Sequence, residues 1–159
     1  TLAGHALVQE GDGWPQAILS LIPDSERTVR RYTEPATCWS TVTPVVLPGY
    51  DDRRGRKSEA LLRKAIEQAG FPAELAQLAQ IEWRGSGYRP GVELPSRYRV
   101  PEHLRNYPRV HVRIRWQDRN GAPVAVPGPV CLGGGRFYGM GLLAGEGEGG
   151  DERTRSPDA

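Results

Sequence analysis

Arg109-Val-His-Val-Arg-Ile-Arg-Trp-Gln117 is the cleanest period-two stretch in the sequence. Side chains alternate across a strand, so Val110, Val112, Ile114 and Trp116 share one face. Arg109, His111, Arg113 and Arg115 share the other. The first face suits a core. The second is a row of cations with no acid among them, whereas ordinary solvated faces mix both signs. Contact with RNA or DNA is the expectation there, weighed against a plain solvated face. Asp118 to Ala122 follows with Asn120-Gly121, a strong hairpin signal. Val124 to Leu132 then returns as a strand, broken by Pro127-Gly-Pro129.

That returning strand feeds Gly133-Gly-Gly-Arg-Phe-Tyr-Gly-Met-Gly141, in which five of nine residues are glycine. Such a segment is neither a helix interior nor an ordinary strand, and glycine lets another backbone or a ligand come close. Arg136 in its middle is a planar, permanent cation suited to phosphate. The expectation is a loop that hugs a polyanion; a plain turn packed on the fold is the alternative. No Gly-Lys-Ser/Thr ending and no Gly-x-Gly-x-x-Gly pattern is present, so a nucleotide-binding loop is a poor fit. Leu142-Leu143 closes the segment. Gly145 to Ala159 is rich in Gly, acid and Ser and reads as a disordered tail without function of its own.

Upstream, Trp39 to Leu47 is rich in Thr and Val and reads as one strand, with Pro44 marking an edge or a bulge. Tyr50-Asp-Asp-Arg-Arg-Gly-Arg-Lys57 is a polar loop carrying four cations. The spacing of Leu61, Leu62, Ala65, Ile66 and Ala69 predicts a helix over Ser58 to Ala69, ended by Gly70 and Pro72. Ala79 to Trp83 alternates as a strand. Gly85 to Pro95 is a Gly/Pro loop, and Ser96 to Asn106 is basic and irregular. The first third is the least legible. Gly11 to Pro15 is a turn cluster, Ala17 to Ile22 an apolar strand, and Ser25 to Arg31 a loop or short helix.

The chain has 159 residues and a net charge of +2. The segment from Gly145 onward holds five acids and two arginines; the rest has 19 basic against 14 acidic residues, a net of +5. Nine arginines lie between Arg84 and Arg119 against Glu93, Glu102 and Asp118, the electrostatic footprint of a nucleic-acid binder. Cys38 and Cys131 sit in apolar runs and read as buried free thiols, which fits an intracellular, cytoplasmic location. No membrane span or signal segment is legible. The histidines and cysteines lack ligand spacing, so neither metal nor cofactor is expected.

Strand, basic loop, helix, strand, basic strand, hairpin and glycine loop give a β-α-β-β layout. This is an α+β, ferredoxin-like antiparallel sheet with a helix on one face and a C-terminal glycine-rich loop. The expected division is 1–37 as an N-terminal segment belonging to a preceding ferredoxin-like unit, 38–144 as the main domain, and 145–159 as the tail.

Trp39-Ser-Thr-Val-Thr-Pro-Val-Val-Leu47, His111-Val-Arg-Ile-Arg-Trp116, Gly128-Pro-Val130 and Gly133-Gly-Gly-Arg-Phe-Tyr-Gly-Met-Gly-Leu142 resemble the C-terminal half of CRISPR-associated RAMP proteins. The likeness covers roughly Trp39 to Leu143 and is nearest the fused subunit of type I-G (formerly I-U) effectors. The C-terminal part of that subunit is the repeat-processing endoribonuclease, and a start at Thr1 rather than Met is what such a portion would show. The resemblance implies metal-independent cleavage of precursor CRISPR RNA within repeats. The ribose 2′-OH attacks the adjacent phosphate, leaving a 2′,3′-cyclic phosphate and a 5′-OH. It further implies that the protein stays on the RNA hairpin beside other type I effector subunits. The alternative is a non-catalytic RNA-binding subunit of the same complex.

Such chemistry needs a proton acceptor near neutral pKa and a cation at the phosphorane. His5, in a loop-like setting, and His111, on the basic strand face, are the leading bases; His103 ranks below them. In related nucleases the active His often lies in the loop or helix after the first strand of a ferredoxin unit, where this sequence has Tyr50. Tyr50 is therefore a candidate to position the 2′-OH, with Lys57 and Arg53 or Arg54 beside the phosphate. Candidate RNA-binding residues are Arg53, Arg54, Arg56, Arg109, Arg113, Arg115, Gly133, Gly134, Gly135, Arg136, Tyr138, Gly139 and Gly141. Tyr88, Tyr98, Phe137 and Tyr138 are candidates for stacking on unpaired bases, core packing being the commoner fate for Phe137.

Overall fold

A computed structural model describes residues 26–50 and 57–147 in full, together with the backbone of two earlier strands. The chain divides into two compact units, Thr1–Arg30 and Arg31–Ala159. In the first, β1 (His5–Val8) pairs antiparallel with β2 (Pro15–Leu19), His5 opposite Leu19. Helix α1 (Arg27–Thr33) follows in sequence.

In the second unit the order is β3 (Cys38–Thr41), β4 (Val45–Val46), α2 (Ser58–Gln68), α3 (Ala73–Leu78), β5 (Gln80–Arg84), β6 (Arg109–Arg115), β7 (Val130–Cys131) and β8 (Leu142–Gly145). β6 lies between β5 and β3, β3 lies between β6 and β8, and β7 pairs β8; every pairing is antiparallel. Taking β3, β5, β6 and β8 as first to fourth strands, their spatial order is fourth, first, third, second. That is the ferredoxin-like sheet, as expected. The second crossover is distinctive: among the described residues no α-helix lies between β6 and β8. The chain there runs through the 117–123 turn, a cis Gly128–Pro129 bond and β7.

The alternation of β6 decides the layers. Val112 and Ile114 are fully buried and Trp116 nearly so, together with Trp39, Leu143, and Leu62 and Ile66 from α2. The α2 stripe falls where the spacing predicts, and Gly70, at φ +97°, ends it. Pro72 then opens α3. Arg63 of α2 donates to the Ala76, Gln77 and Ala79 carbonyls, which ties the two helices together.

Three elements differ from expectation. Trp39–Leu47 is two strands. Ser40 faces Arg113 and Val45 faces Val110, so four residues (41–44) stand opposite two (111–112). Pro44 has no N–H for the ladder. The Thr41 hydroxyl accepts from the Val112 N–H at 3.0 Å and closes the gap. Val124–Leu132 is regular only at β7, with isolated bridges at Pro123 and Val126. Lastly, the sheet runs past Ala144: Gly145 ends β8, and the Glu146 N–H bonds the Cys38 carbonyl at 2.8 Å. The tail beyond 147 lies outside the described residues.

Candidate nucleic-acid interface

The cationic face of β6 is not open. The segment between β5 and β6 crosses it and is fastened by side chains. Arg89 donates to the Ser40 hydroxyl (2.9 Å) and to the Ala144 and Gly145 carbonyls (both 2.7 Å). Tyr98 donates its hydroxyl to the Val42 carbonyl, and Arg109 donates to the Tyr98 carbonyl at 2.9 Å. Arg84 bonds the Ser86 and Gly87 carbonyls and lies 4.0 Å above the Tyr88 ring. Tyr88 and Tyr98, expected as stacking platforms, are therefore parts of this cover.

Under it, His111 is 0 % exposed. Its Nε2 lies 2.9 Å from the Glu93 carbonyl oxygen, an acceptor, so Nε2 carries the proton. Nδ1 then accepts from the Thr41 hydroxyl at 3.1 Å. Burial, with a smaller contribution from Arg84, lowers its pKa against the opposing Glu93 bond, so the ring is neutral at pH 7. Both nitrogens are occupied, which leaves none for a 2′-hydroxyl.

The row of cations also has acids, supplied from other strands. Arg113 Nε bonds Glu146 at 3.0 Å, and Arg115 bonds Glu82, which stands on the neighbouring β5. Burial would raise the Glu146 carboxyl, but hydrogen bonds from Ser40, Arg113 and Cys38 hold it below its usual range. The Cys38 thiol is pushed up to about 12, by burial first and then by the Glu146 charge, so it is no nucleophile. Cys38 and Cys131 are free, as expected, but half-buried.

Three N–H groups of the glycine segment bond carbonyls of the protein itself. The Gly134 N–H bonds the Val46 carbonyl, that of Gly139 the Arg136 carbonyl, and that of Gly141 the Pro44 carbonyl. Gly133 (φ +85°) and Gly141 (φ +69°) are left-handed, and a Cβ added to either would strike a carbonyl oxygen, of Val46 or Leu132. These glycines let the turn lie flat on β4. What the turn presents outward is its short 3-10 helix, Arg136–Tyr138. Phe137 is 85 % exposed and Tyr138 58 %. Phe137 thus stays out of the core, on a short 3-10 turn that Gly139, at φ +76°, ends. Arg136 bonds the Gln68 carbonyl and lies 5.1 Å from the Phe137 ring.

A second small cluster of Val46, Leu104 and Met140 supports this end, with Tyr98, Val100 and Tyr107 packed on it. Tyr50, 62 % exposed, stacks on Tyr107 at 4.8 Å between ring centres. His103 meets the Tyr138 ring edge-on at 5.9 Å and is exposed. Lys57 is the exposed N-cap of α2. Arg53, Arg54 and Arg56 lie outside the described residues. His5, expected in a loop, opens β1, and its side chain lies outside the described residues. His103 meets Tyr138, and Tyr50 stacks on Tyr107 of the Val46–Leu104–Met140 cluster; His111 lies beneath the cover, with the Tyr98 ring edge-on to it at 6.2 Å. His103 was legible only as part of an irregular basic stretch. Its neighbour Tyr138 comes from 35 positions away in sequence, and no spacing rule links them.

Among the described residues no three His, Cys, Asp or Glu side chains are placed to hold a metal, and no helix is long and apolar enough to cross a membrane. Residues 7–145 match the family model described as "CRISPR-associated protein, GSU0054 family". The chain belongs to that family. The match ends at Gly145, the last residue of β8, so the GSU0054-family region takes in the whole ferredoxin-like sheet, the cover over β6 and the aromatic turn. No curated protein and no solved structure matches the chain significantly.

Proposed function

We propose that this CRISPR-associated protein binds repeat-derived RNA as a subunit of a type I effector, through the turn that carries Arg136, Phe137 and Tyr138. The observation that carries the reading is Phe137, which stands 85 % exposed beside a guanidinium on a turn held rigidly to β4. An aromatic face next to a cation is what an unpaired base and its phosphate require. RNA over DNA follows from the likeness to the fused type I-G subunit, as does a hairpin with unpaired flanks. Lys57, Arg53, Arg54 and Arg56 are further candidates for phosphate contacts.

A second reading adds cleavage, and His103 favours it: an exposed imidazole held against Tyr138 at the RNA-binding end. His103 would take the 2′-OH proton as the O2′–P bond forms and the P–O5′ bond breaks. The 5′-oxygen gains a proton, and a 2′,3′-cyclic phosphate remains. Tyr50 would orient the 2′-OH, and His5 is the other candidate base.

A denaturing gel of repeat RNA in EDTA, run beside a binding titration, tests both. Phe137→Ala should weaken binding by about 1–3 kcal/mol without lowering thermal stability. Cleavage to a cyclic-phosphate end that is lost in His103→Ala, but kept in His111→Gln, establishes the nuclease. Binding without cleavage leaves the first reading alone. Absence of salt-sensitive RNA binding sinks both.

A further inference from the structure

The nine arginines between Arg84 and Arg119 divide sharply by what they touch. Arg84, Arg89, Arg109, Arg113, Arg115 and Arg119 all bond carbonyls, a hydroxyl or carboxylates of the protein itself. Among the described residues the side chains of Arg97, Arg99 and Arg105 have no hydrogen-bond or ion-pair partner, and all three are exposed. Two of them converge. Arg99 and Arg105 line a cleft with Tyr98, Val100 and Arg109. Among the described residues its lining holds three arginines and no acid. Arg109 is fixed by one bond to the Tyr98 carbonyl, and four of its five N–H donors remain. Three like charges gathered in one cleft repel one another, and an anion bound between them would relieve this.

The position of the cleft says which anion. Tyr98 and Val100 pack on the Val46–Leu104–Met140 cluster, and His103, next to Leu104 in the chain, meets the Tyr138 ring at 5.9 Å. Arg105 follows Leu104 directly and lies two residues from His103. We infer that the cleft is a phosphate subsite for a nucleic-acid backbone. It takes the phosphodiesters that continue from bases stacked at Phe137 and Tyr138, with Arg99 and Arg105 as the contacting cations. Tyr98 forms the floor, fixed by its hydroxyl on the Val42 carbonyl. The inference rests on the reading that the protein binds RNA, and it adds where the backbone runs.

Fluorescence anisotropy with labelled repeat RNA over a series of salt concentrations tests it. The slope of log K against log salt counts phosphate contacts, at roughly 0.7–0.9 per contact. The double variant Arg99→Gln, Arg105→Gln should lose roughly 1.4–1.8 from that slope. It should bind more weakly at low salt and converge with wild type at high salt. Arg99→Lys, Arg105→Lys should keep the wild-type slope, since charge is retained. Phe137→Ala should weaken binding with its slope unchanged. If wild type binds with a steep slope and the Gln variant matches it, the cleft is no phosphate subsite while the RNA reading stands. If wild type binds no RNA, both fall. Neither arginine has a structural partner, so unchanged melting of the Gln variant is expected and confirms that any lost binding is not lost folding.

Discussion

Arg113 and Arg99 belong to the same basic segment and look alike in sequence. Arg113 is bonded to Glu146, 33 residues away, beneath a covering segment. Arg99 stands on that cover, exposed, at the rim of a cleft that holds no acid among the described residues. Their contrast shows that a run of cations is evidence for a polyanion partner only after the acids of neighbouring strands have been placed. β6 looked like the binding surface because it carries no acid itself. β5 and the end of β8 bring the acids to it. The irregular 97–105 stretch had no pattern to recommend it, and it keeps its charges free for that reason: no regular strand runs beside it to neutralise them.

Three measurements press on this contrast. The largest effect is expected for Arg89→Ala. It removes the clasp between cover and sheet and leaves the fully buried Ser40 hydroxyl without its donor, so stability should fall by about 2–3 kcal/mol in urea unfolding. The RNA salt slope of the folded fraction should not change. A lowered slope with intact stability would make Arg89 a ligand-binding residue instead of a clasp.

Next is pH. Burial depresses the His111 pKa below its ordinary 6.5, so the unfolded chain takes up the proton more readily than the folded one. Stability from the neutral ring is fully present above pH 6.5 and is lost as pH falls through the folded value. The slope from this one group is at most about 1.4 kcal/mol per pH unit. His111→Gln should abolish that component in a urea series below neutrality. If the slope survives in the variant, His111 is not the titrating group under the cover. The smallest effect is expected for Arg115→Gln. Its pair with Glu82 is well exposed, and its loss should cost less than about 1 kcal/mol. A drop in the RNA salt slope of that variant would return β6 to the binding surface and blur the contrast.

Elements defined by local periodicity were legible. The α2 stripe, the alternation of β6 and β5, and the Asn120-Gly121 turn each depend on residues a few positions apart, and each stands where expected. At the turn, Asp118 accepts from the Asn120 and Ala122 N–H groups, the local bonding such a sequence favours. The break between β3 and β4 was half legible: Pro44 announced a disturbance but not its extent. The glycine segment was legible as special, but not which of its groups the protein itself would bond. The Gly134, Gly139 and Gly141 N–H groups serve the Val46, Arg136 and Pro44 carbonyls, while Phe137 and Tyr138 are exposed.

The sequence by itself determined the ferredoxin-like sheet and the helix on its face, because alternation, stripe and turn chemistry act over short spans of chain. Only the tertiary structure decided which histidine is sealed, which aromatic ring is bare and which arginines are free. Those outcomes depend on partners brought together from distant positions: Glu93 with His111, Glu82 with Arg115, Glu146 with Arg113, and Tyr138 with His103. Charge pairing and burial follow distance in space, and the antiparallel crossings of this sheet set that distance.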